Sequence, residues 1–320
     1  MQPSASADGV PERLWDAALW DLLRDFLARS GKGVRAQLVT AGWHLGGRNA
    51  TTIPPALPLL VELVHAGSLL VDDVEDGAET RRGAPAAHRI FGEPLAINAG
   101  GWLYFAPFVL LQRIPVSGAS RLALYDRMSR AMLQCHEGQA LDLATRVVDV
   151  AADEIGAVVS AVTRLKTASL MRLSIGMGAV AAGASAWDVT ALERFGERAG
   201  VALQMYDDLS GLVRDELAHK ADEDLAGACP TWPWAWLAEV AGPETYAALT
   251  AELDACAADA PRRAALRRRL ADHVGEHGRA CARHTLDAAC DALSTALGPS
   301  PALTELCAAV RTLEAAYVQP

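Results

Sequence analysis

Positive charge is what this sequence has too little of. Its 320 residues carry 29 Lys and Arg against 39 Asp and Glu, a net charge of −10 with a pI near 5.3. That balance argues against nucleic acid or an anionic membrane as the main partner. An anionic ligand would have to be received by metal ions or by a local basic patch. Paired cysteine spacing is missing as well. Cys135, Cys229, Cys256, Cys281, Cys290 and Cys307 contain no CxxC, so they read as reduced thiols of a cytoplasmic protein, not as a disulfide frame or zinc site. Residues 1–12 lack an apolar signal-peptide core and read as a short disordered lead-in. Only Pro94 to Gln112 is uncharged over a membrane-spanning length. Asn98, Gly100, Gly101 and Pro107 inside it point to a buried core helix, and no transmembrane segment is expected. β-branched alternation, finally, is almost absent, which excludes a sheet protein.

What is present is Ala and Leu at helical spacing. The stretches 14–28, 56–73 and 266–293 are long examples. Breaks fall at Ser30–Gly33, Gly46–Pro55, Gly77–Pro85, Ile114–Gly118, Ala226–Pro233 and Gly298–Pro301, giving roughly ten helices. No repeat or composition shift marks a boundary. An all-α, single-domain helical bundle over residues 13–320 is expected.

The acids of SLLVDDVEDGAETRRG, residues 68–83, end one such helix. Positions i and i+4 share a helix face, so Asp72 and Asp76 point the same way with Asp73 beside them. This oxygen-only donor set suits Mg²⁺ rather than zinc. Asp207 and Asp208 end a second apolar run, GVALQMYDDLSGLVRDE. Two acidic clusters facing each other above an apolar cavity suggest a diphosphate ester with a greasy tail, since Mg²⁺ takes one or two carboxylates plus substrate phosphates. Lys32, Arg35, Arg81, Arg82, Lys166 and Lys220 could together supply the cations a diphosphate needs.

These residues stand in blocks that resemble the trans-type isoprenyl diphosphate synthase family, which includes the farnesyl and geranylgeranyl diphosphate synthases. SGKGVRA is similar to GGKRxRP, and ELVHAGSLLVDDVEDGAETRRGAPAAH to the family's first aspartate-rich block. FGEPLAINAG, EGQALDL, LKTASL, LQMYDDLSG and KADEDLAGACPTWP resemble the blocks that follow, in family order, and LEAAYV resembles the family's tail. The resemblance implies the all-α isoprenoid synthase fold with a central apolar cavity, and a homodimer. It implies condensation of an allylic diphosphate with isopentenyl diphosphate to a longer all-trans prenyl diphosphate, with three Mg²⁺ ions when substrate is bound. By this resemblance Asp72, Asp76 and Asp207 bind Mg²⁺, supported by Asp73 and Asp208. Arg81, Lys166 and Lys220 hold the allylic diphosphate, and Lys32, Arg35, His65 and Arg82 hold isopentenyl diphosphate. Thr167 and Gln204 steady the carbocation and its proton transfer.

Departures keep other readings open. Gly211 stands where the family has a third Asp, Cys229 replaces a loop lysine, Gly101 an Asp and Val71 a His, and the chain ends in VQP rather than a basic tail. DDLSGLVRD also fits the second metal motif of class I terpene cyclases, with Asp215 in its last acidic slot. A non-catalytic partner subunit of a true synthase is the third reading. Gly67 and Ser68, five and four residues before Asp72, are expected to line the tunnel for the growing tail. Their small size favours about twenty carbons, since one helical turn rises about 5.4 Å, close to one isoprene unit. Trp102, Tyr104, Phe105 and Phe108 are candidates for its floor. Asp72→Ala should lower turnover by orders of magnitude and leave the circular dichroism spectrum intact; near-normal turnover would remove the metal assignment.

Overall fold

The computed structural model describes residues 9–29, 31–47 and 52–318. Most of the expected lead-in, residues 1–8, lies outside them, as do Ser30, residues 48–51 within the second expected break, and the final Gln319–Pro320. The chain bends at Gly9–Val10, and helix begins at Glu12, one residue earlier than expected.

The helices are α1 (Glu12–Trp15), α2 (Asp21–Ala28), α3 (Val34–Gly46), α4 (Ala56–Glu75), α5 (Ala87–Phe91), α6 (Glu93–Leu111), α7 (Gly118–Ala144) and α8 (Ile155–Val162). They continue as α9 (Ser169–Ala181), α10 (Ala186–Val213), α11 (Ala218–Gly227), α12 (Trp232–Thr250), α13 (Leu253–Cys256), α14 (Ala260–Leu297) and α15 (Pro301–Val318). The excess over ten has two causes. α1, α5 and α13 are too short to show a period. The wider π turns Asp16–Trp20 and Thr163–Ala168 interrupt what would otherwise be continuous helices, α1–α2 and α8–α9. The three longest helices start at side-chain caps, where Ser117, Ser185 and Asp259 accept from the backbone N–H of Ser120, Asp188 and Arg262. Each cap satisfies one of the amide groups that a helix start leaves unpaired.

One small hairpin departs from the all-helix pattern. β1 (Thr80–Arg81) pairs antiparallel with β2 (Ala84–Pro85) across the turn Arg82–Gly83. Both turn residues have positive φ, 54° and 76°, as a two-residue hairpin turn of this twist requires. Glycine adopts that conformation freely, whereas arginine is strained there, a feature that clusters at functional sites.

α4 is apolar nearly all round because it is packed on two sides. Leu57, Leu60, Val61 and Val64 enter the main core with α3, α9 and α10. Leu63, Ala66 and Leu70 enter a second cluster with Leu19, Leu22, Leu23 and Phe26 of the N-terminal helices and Ala96, Ala99 and Leu103 of α6. This double packing fixes the helix that ends in the first acidic motif. α4 crosses α6 through Gly67 and Gly100. A Cβ on Gly67 would stand 2.9 Å from the Gly100 carbonyl oxygen and 3.0 Å from Leu103 Cβ.

That crossing corrects the tunnel geometry expected from sequence. Gly67 is small so that two backbones can touch, and it faces α6 rather than open space. Ser68 is half-buried and turns its hydroxyl back to the His65 carbonyl at 2.9 Å. A phenylalanine at position 67 would separate α4 from α6 before it could block a substrate. Gly67→Ala is expected to destabilise the fold by about 1–3 kcal/mol, the usual range for overpacking. Urea denaturation reads this out, and an unchanged midpoint would contradict the close crossing.

Candidate active site

The first acidic cluster lies at the C-terminal end of α4, and the hairpin after it returns Arg81 onto it. Arg81 Nε–H donates to Asp73 Oδ1 at 2.6 Å and its Nη2 stands 3.7 Å from Asp72 Oδ2. Asp73 is fully buried. Burial raises its pKa and Arg81 partly offsets that. Asp73 therefore anchors the arginine. Arg29, which the sequence did not single out, clasps the hairpin by donating to the Arg81 and Pro85 carbonyls at 3.2 and 2.9 Å. Asp76 caps α4 at the rim. Desolvation, then the charges of Asp72 and Asp142, push its carboxyl up to about 6.

Across from α4, the π turn between α8 and α9 carries Lys166 and Thr167. Lys166 Nζ–H bridges Asp72 Oδ1 at 3.0 Å and Asp142 Oδ2 at 2.8 Å. Burial opposes its charge, but the two carboxylates outweigh burial and raise its pKa. Asp142 belongs to the EGQALDL block. Its spacing in that block gives it no role, and its partner Lys166 is visible only in three dimensions.

The second acidic cluster comes from α10. Lys220 of α11 donates to Asp207 Oδ1 at 2.7 Å. Asp208 accepts from Gln204 Nε2–H at 2.7 Å and from the Trp232 backbone N–H at 3.0 Å. Gln204 in turn accepts the Thr167 hydroxyl at 2.8 Å, so one chain of hydrogen bonds joins the π turn to the second motif. Trp232 adds a further tie, its indole N–H donating to Thr163 Oγ1 at 3.0 Å. Burial pushes Asp208 up to about 7 despite its two donors. Asp224 of α11 faces the same space, its pKa raised well above the ordinary carboxylate range by burial and by Asp208, Asp207 and Asp142. Sequence reading missed Asp224 because nothing in its spacing distinguishes it from the surface acids around it.

Gly211 has a steric reason. A Cβ there would meet the Ala221 backbone nitrogen at 2.9 Å and Lys220 Cβ at 3.3 Å. The glycine lets α11 approach α10 and deliver Lys220 and Asp224. Gly211→Asp thus displaces α11 whichever reaction the protein performs. Asp215 is also accounted for. α10 ends at Val213, and Asp215 lies beyond it with its side chain 96% exposed and paired at 3.1 Å with Arg267. It does not share a helical face with Asp207. Cys229 lies beside Asp224, Asp142 and Asp76, and burial first, then these acids, pushes its thiol up to about 12. Ala228, at the preceding position, is held at φ 52°.

A third cluster is basic. His65 is held well below its ordinary pKa by burial and by Arg35, Arg82 and Arg81, so it is neutral there. Arg35 is half-buried, and Glu62 is the acid that acts on it most strongly. Glu62 is already engaged by the Ala36 N–H at 3.0 Å. Arg82 donates to the Arg29 carbonyl at 3.3 Å. Lys32 stands 3.6 Å from the ring centroid of Tyr317 near the end of α15, with its pKa lowered by burial. All residues expected at the site thus fall into three neighbouring groups. The chain contains three lysines, Lys32, Lys166 and Lys220, and all three are among them.

The donor set fits a hard divalent cation. It offers carboxylate oxygens on opposing helices, several with pKa values raised first by burial, a cost that a bound cation would offset. Among the described residues no three His, Cys, Asp or Glu converge tightly enough to hold an ion by themselves. That suits Mg²⁺, which keeps several waters and completes its shell with substrate phosphates.

This helical architecture is that of known prenyl diphosphate synthases. It superposes on a geranylgeranyl pyrophosphate synthetase from Pyrococcus horikoshii with a TM-score of 0.79 and 24% identity, covering 95% of this chain and 91% of that one. Residues 16–265 match the polyprenyl synthetase family, and the chain belongs to it. It is 31% identical to a short chain isoprenyl diphosphate synthase of Methanocaldococcus jannaschii over 63% of this chain and 60% of that protein. It is 35% identical to a geranylfarnesyl diphosphate synthase of Aeropyrum pernix over 64% of each. The chain thus spans less than two thirds of these curated relatives.

Asp208 sets a pH dependence whose sign is fixed. Its folded pKa of about 7 lies above the ordinary 3.8, so between these values the folded state holds a proton that the unfolded state has lost. Its contribution to stability therefore falls as pH rises through that window. In urea denaturation of metal-free protein, Asp208→Asn should flatten the decline between about pH 4 and 7; an identical slope in the variant would contradict this.

Proposed function

We propose that this protein joins an allylic diphosphate to isopentenyl diphosphate, head to tail, as a Mg²⁺-dependent trans-prenyltransferase. The observation that carries the reading is the separation of charge within one site. Acidic groups with Lys166, Lys220 and Arg81 form one group, and a cation cluster around neutral His65, in which Glu62 is the acid acting most strongly on Arg35 and Arg82, forms another. Two diphosphates have two distinct places to bind.

Asp72, Asp76 and Asp207 would hold Mg²⁺, which supplies electrophilic neutralisation of the departing diphosphate. Lys166, Lys220 and Arg81 donate to the oxygens on which charge builds as the allylic C–O bond breaks. Lys32, Arg35 and Arg82 hold the second diphosphate so that its alkene faces the allylic cation. The new C–C bond leaves a cation on the former isopentenyl unit, which loses a proton to the released diphosphate. The Thr167–Gln204 pair turns oxygen dipoles toward the carbocation. Asp224, which faces Asp207, Asp208 and Asp142, would help hold Mg²⁺ at the far side.

The cyclase reading loses support from Asp215, which is paired outside the site with Arg267. The binding-subunit reading has no observation in its favour. For product length, Tyr104 replaces Gly67 as the deciding residue. Phe105 is exposed and Trp102 packs against Trp20, whereas Tyr104 faces Asp72, Glu75 and Cys135 and meets the His136 ring edge-on, with centroids 5.1 Å apart. It forms a floor below the metal-binding acids, and a product of about twenty carbons is proposed on the rise of a helical turn.

A homodimer is proposed through the outer face of α6 and α7. Phe108–Tyr125 and Tyr104–His136 zip these helices together. Outside them Phe105, Leu122 and Leu133 are 70%, 72% and 66% exposed, an apolar face suited to a second copy of itself. A cytoplasmic location is proposed from the cysteine usage.

Purified protein with Mg²⁺, farnesyl diphosphate and labelled isopentenyl diphosphate should give a labelled longer alcohol only after phosphatase treatment. A hydrocarbon made without isopentenyl diphosphate would establish the cyclase instead. Tyr104→Ala should lengthen the main product by at least one isoprene unit, read by chromatography of the alcohols; an unchanged product would reject the floor. Phe105→Asp with Leu133→Asp should sediment as a monomer.

A further inference from the structure

Far from the acidic motifs, at the N-terminal half of α10, the surface carries a groove of about 140 Å³ between α10 and α14. Its walls are Trp187, Arg194 and Arg198 from α10 and Ala292, Leu293 and Ala296 from α14. Trp187 is 69% exposed. Arg194 and Arg198 sit one turn apart on one helix face, their Cβ atoms about 6 Å apart by helix geometry.

The charges around the groove make these two arginines unusual. Glu193 is taken by Arg127 at 2.7 Å, Glu197 by Arg164 and Arg172 at 3.1 and 3.7 Å, and Asp287 by Arg311 at 2.9 Å. Other arginines have engaged the neighbouring acids, and among the described residues Arg194 and Arg198 form no ion pair. Asp188 and Asp291, on the same two helices, pair with neither. In a chain with ten surplus negative charges, two adjacent guanidinium groups without counter-ions flank an apolar channel and an open indole.

We propose that this groove binds a single-chain lipid phosphate. The two guanidinium groups bracket a dianionic head, for which their planar donor forks are suited. The hydrocarbon chain lies along Leu293, Ala292 and Ala296 against the indole of Trp187. The occupant is a free amphiphile rather than a bilayer: the groove is narrow, and the net acidity of the chain opposes an anionic membrane surface. Nothing here depends on the reaction catalysed at the other end of α10.

The test must read this groove alone, because the active site offers cations to phosphates too. Full-length protein labelled with 5-fluorotryptophan is titrated with dodecyl phosphate below its aggregation concentration. The Trp187 resonance is assigned by its loss in Trp187→Phe. A saturable shift is expected, weakened at least tenfold in Arg194→Ser/Arg198→Ser, with no comparable shift from dodecyltrimethylammonium. Absence of a shift, or one that survives the double substitution, overturns the proposal. So does Arg194-dependent co-sedimentation with phosphatidylglycerol vesicles when monomeric dodecyl phosphate leaves the resonance unmoved, which would make the patch a bilayer contact. The double variant should keep wild-type turnover, since neither arginine touches the acidic motifs, and its fold is checked by its thermal midpoint.

Discussion

A carboxylate withdrawn from water must meet either a cation or a proton, and this constraint organises the structure. Asp72, Asp73, Asp76, Asp142, Asp207, Asp208 and Asp224 crowd one space, with Arg81, Lys166 and Lys220 paired directly to acids among them. The local irregularities of the fold deliver those cations. The hairpin reverses the chain so that Arg81 reaches back to Asp73. The π turn aims Lys166 between Asp72 and Asp142. The close approach permitted by Gly211 lets α11 carry Lys220 to Asp207. Burial and the neighbouring acids still raise the pKa values of Asp76 and Asp208, a cost that a metal–diphosphate complex would offset.

The same economy of space governs the packing. α4 is buried against two cores and α10 runs through the main one, so both acidic motifs sit at the ends of helices with little freedom to move. Preorganisation of this kind suits a reaction in which charge develops on a leaving group, because the donors need not reorganise at that moment.

Much of this was legible in the sequence because it lies within single helices. The i, i+4 placement of Asp72 and Asp76, the Gln204–Asp208 turn and the apolar runs beneath them follow from helical geometry alone. What could not be read lies between helices. Gly67 looks like tunnel wall until its backbone partner Gly100 is known. Gly211 looks like a lost ligand until α11 is seen pressed against it. Asp142 and Asp224 resemble surface acids until Lys166 and Asp207 are placed beside them. Of four aromatic residues on α6, only the packing of α4 and α7 separates inward Tyr104 from outward Phe105.

The lysine distribution carries a practical consequence. Elsewhere the chain's positive charge comes from arginine, so primary amines in side chains occur only at Lys32, Lys166 and Lys220. Acylating reagents, amine-directed crosslinkers and coupling to activated surfaces, which decorate most proteins at random, have their side-chain targets concentrated around one site here. Lys32, exposed and with a lowered pKa, is the one whose neutral amine is most available. Routine immobilisation would therefore modify the proposed site directly, and on that proposal a diphosphate held there would shield the protein from it.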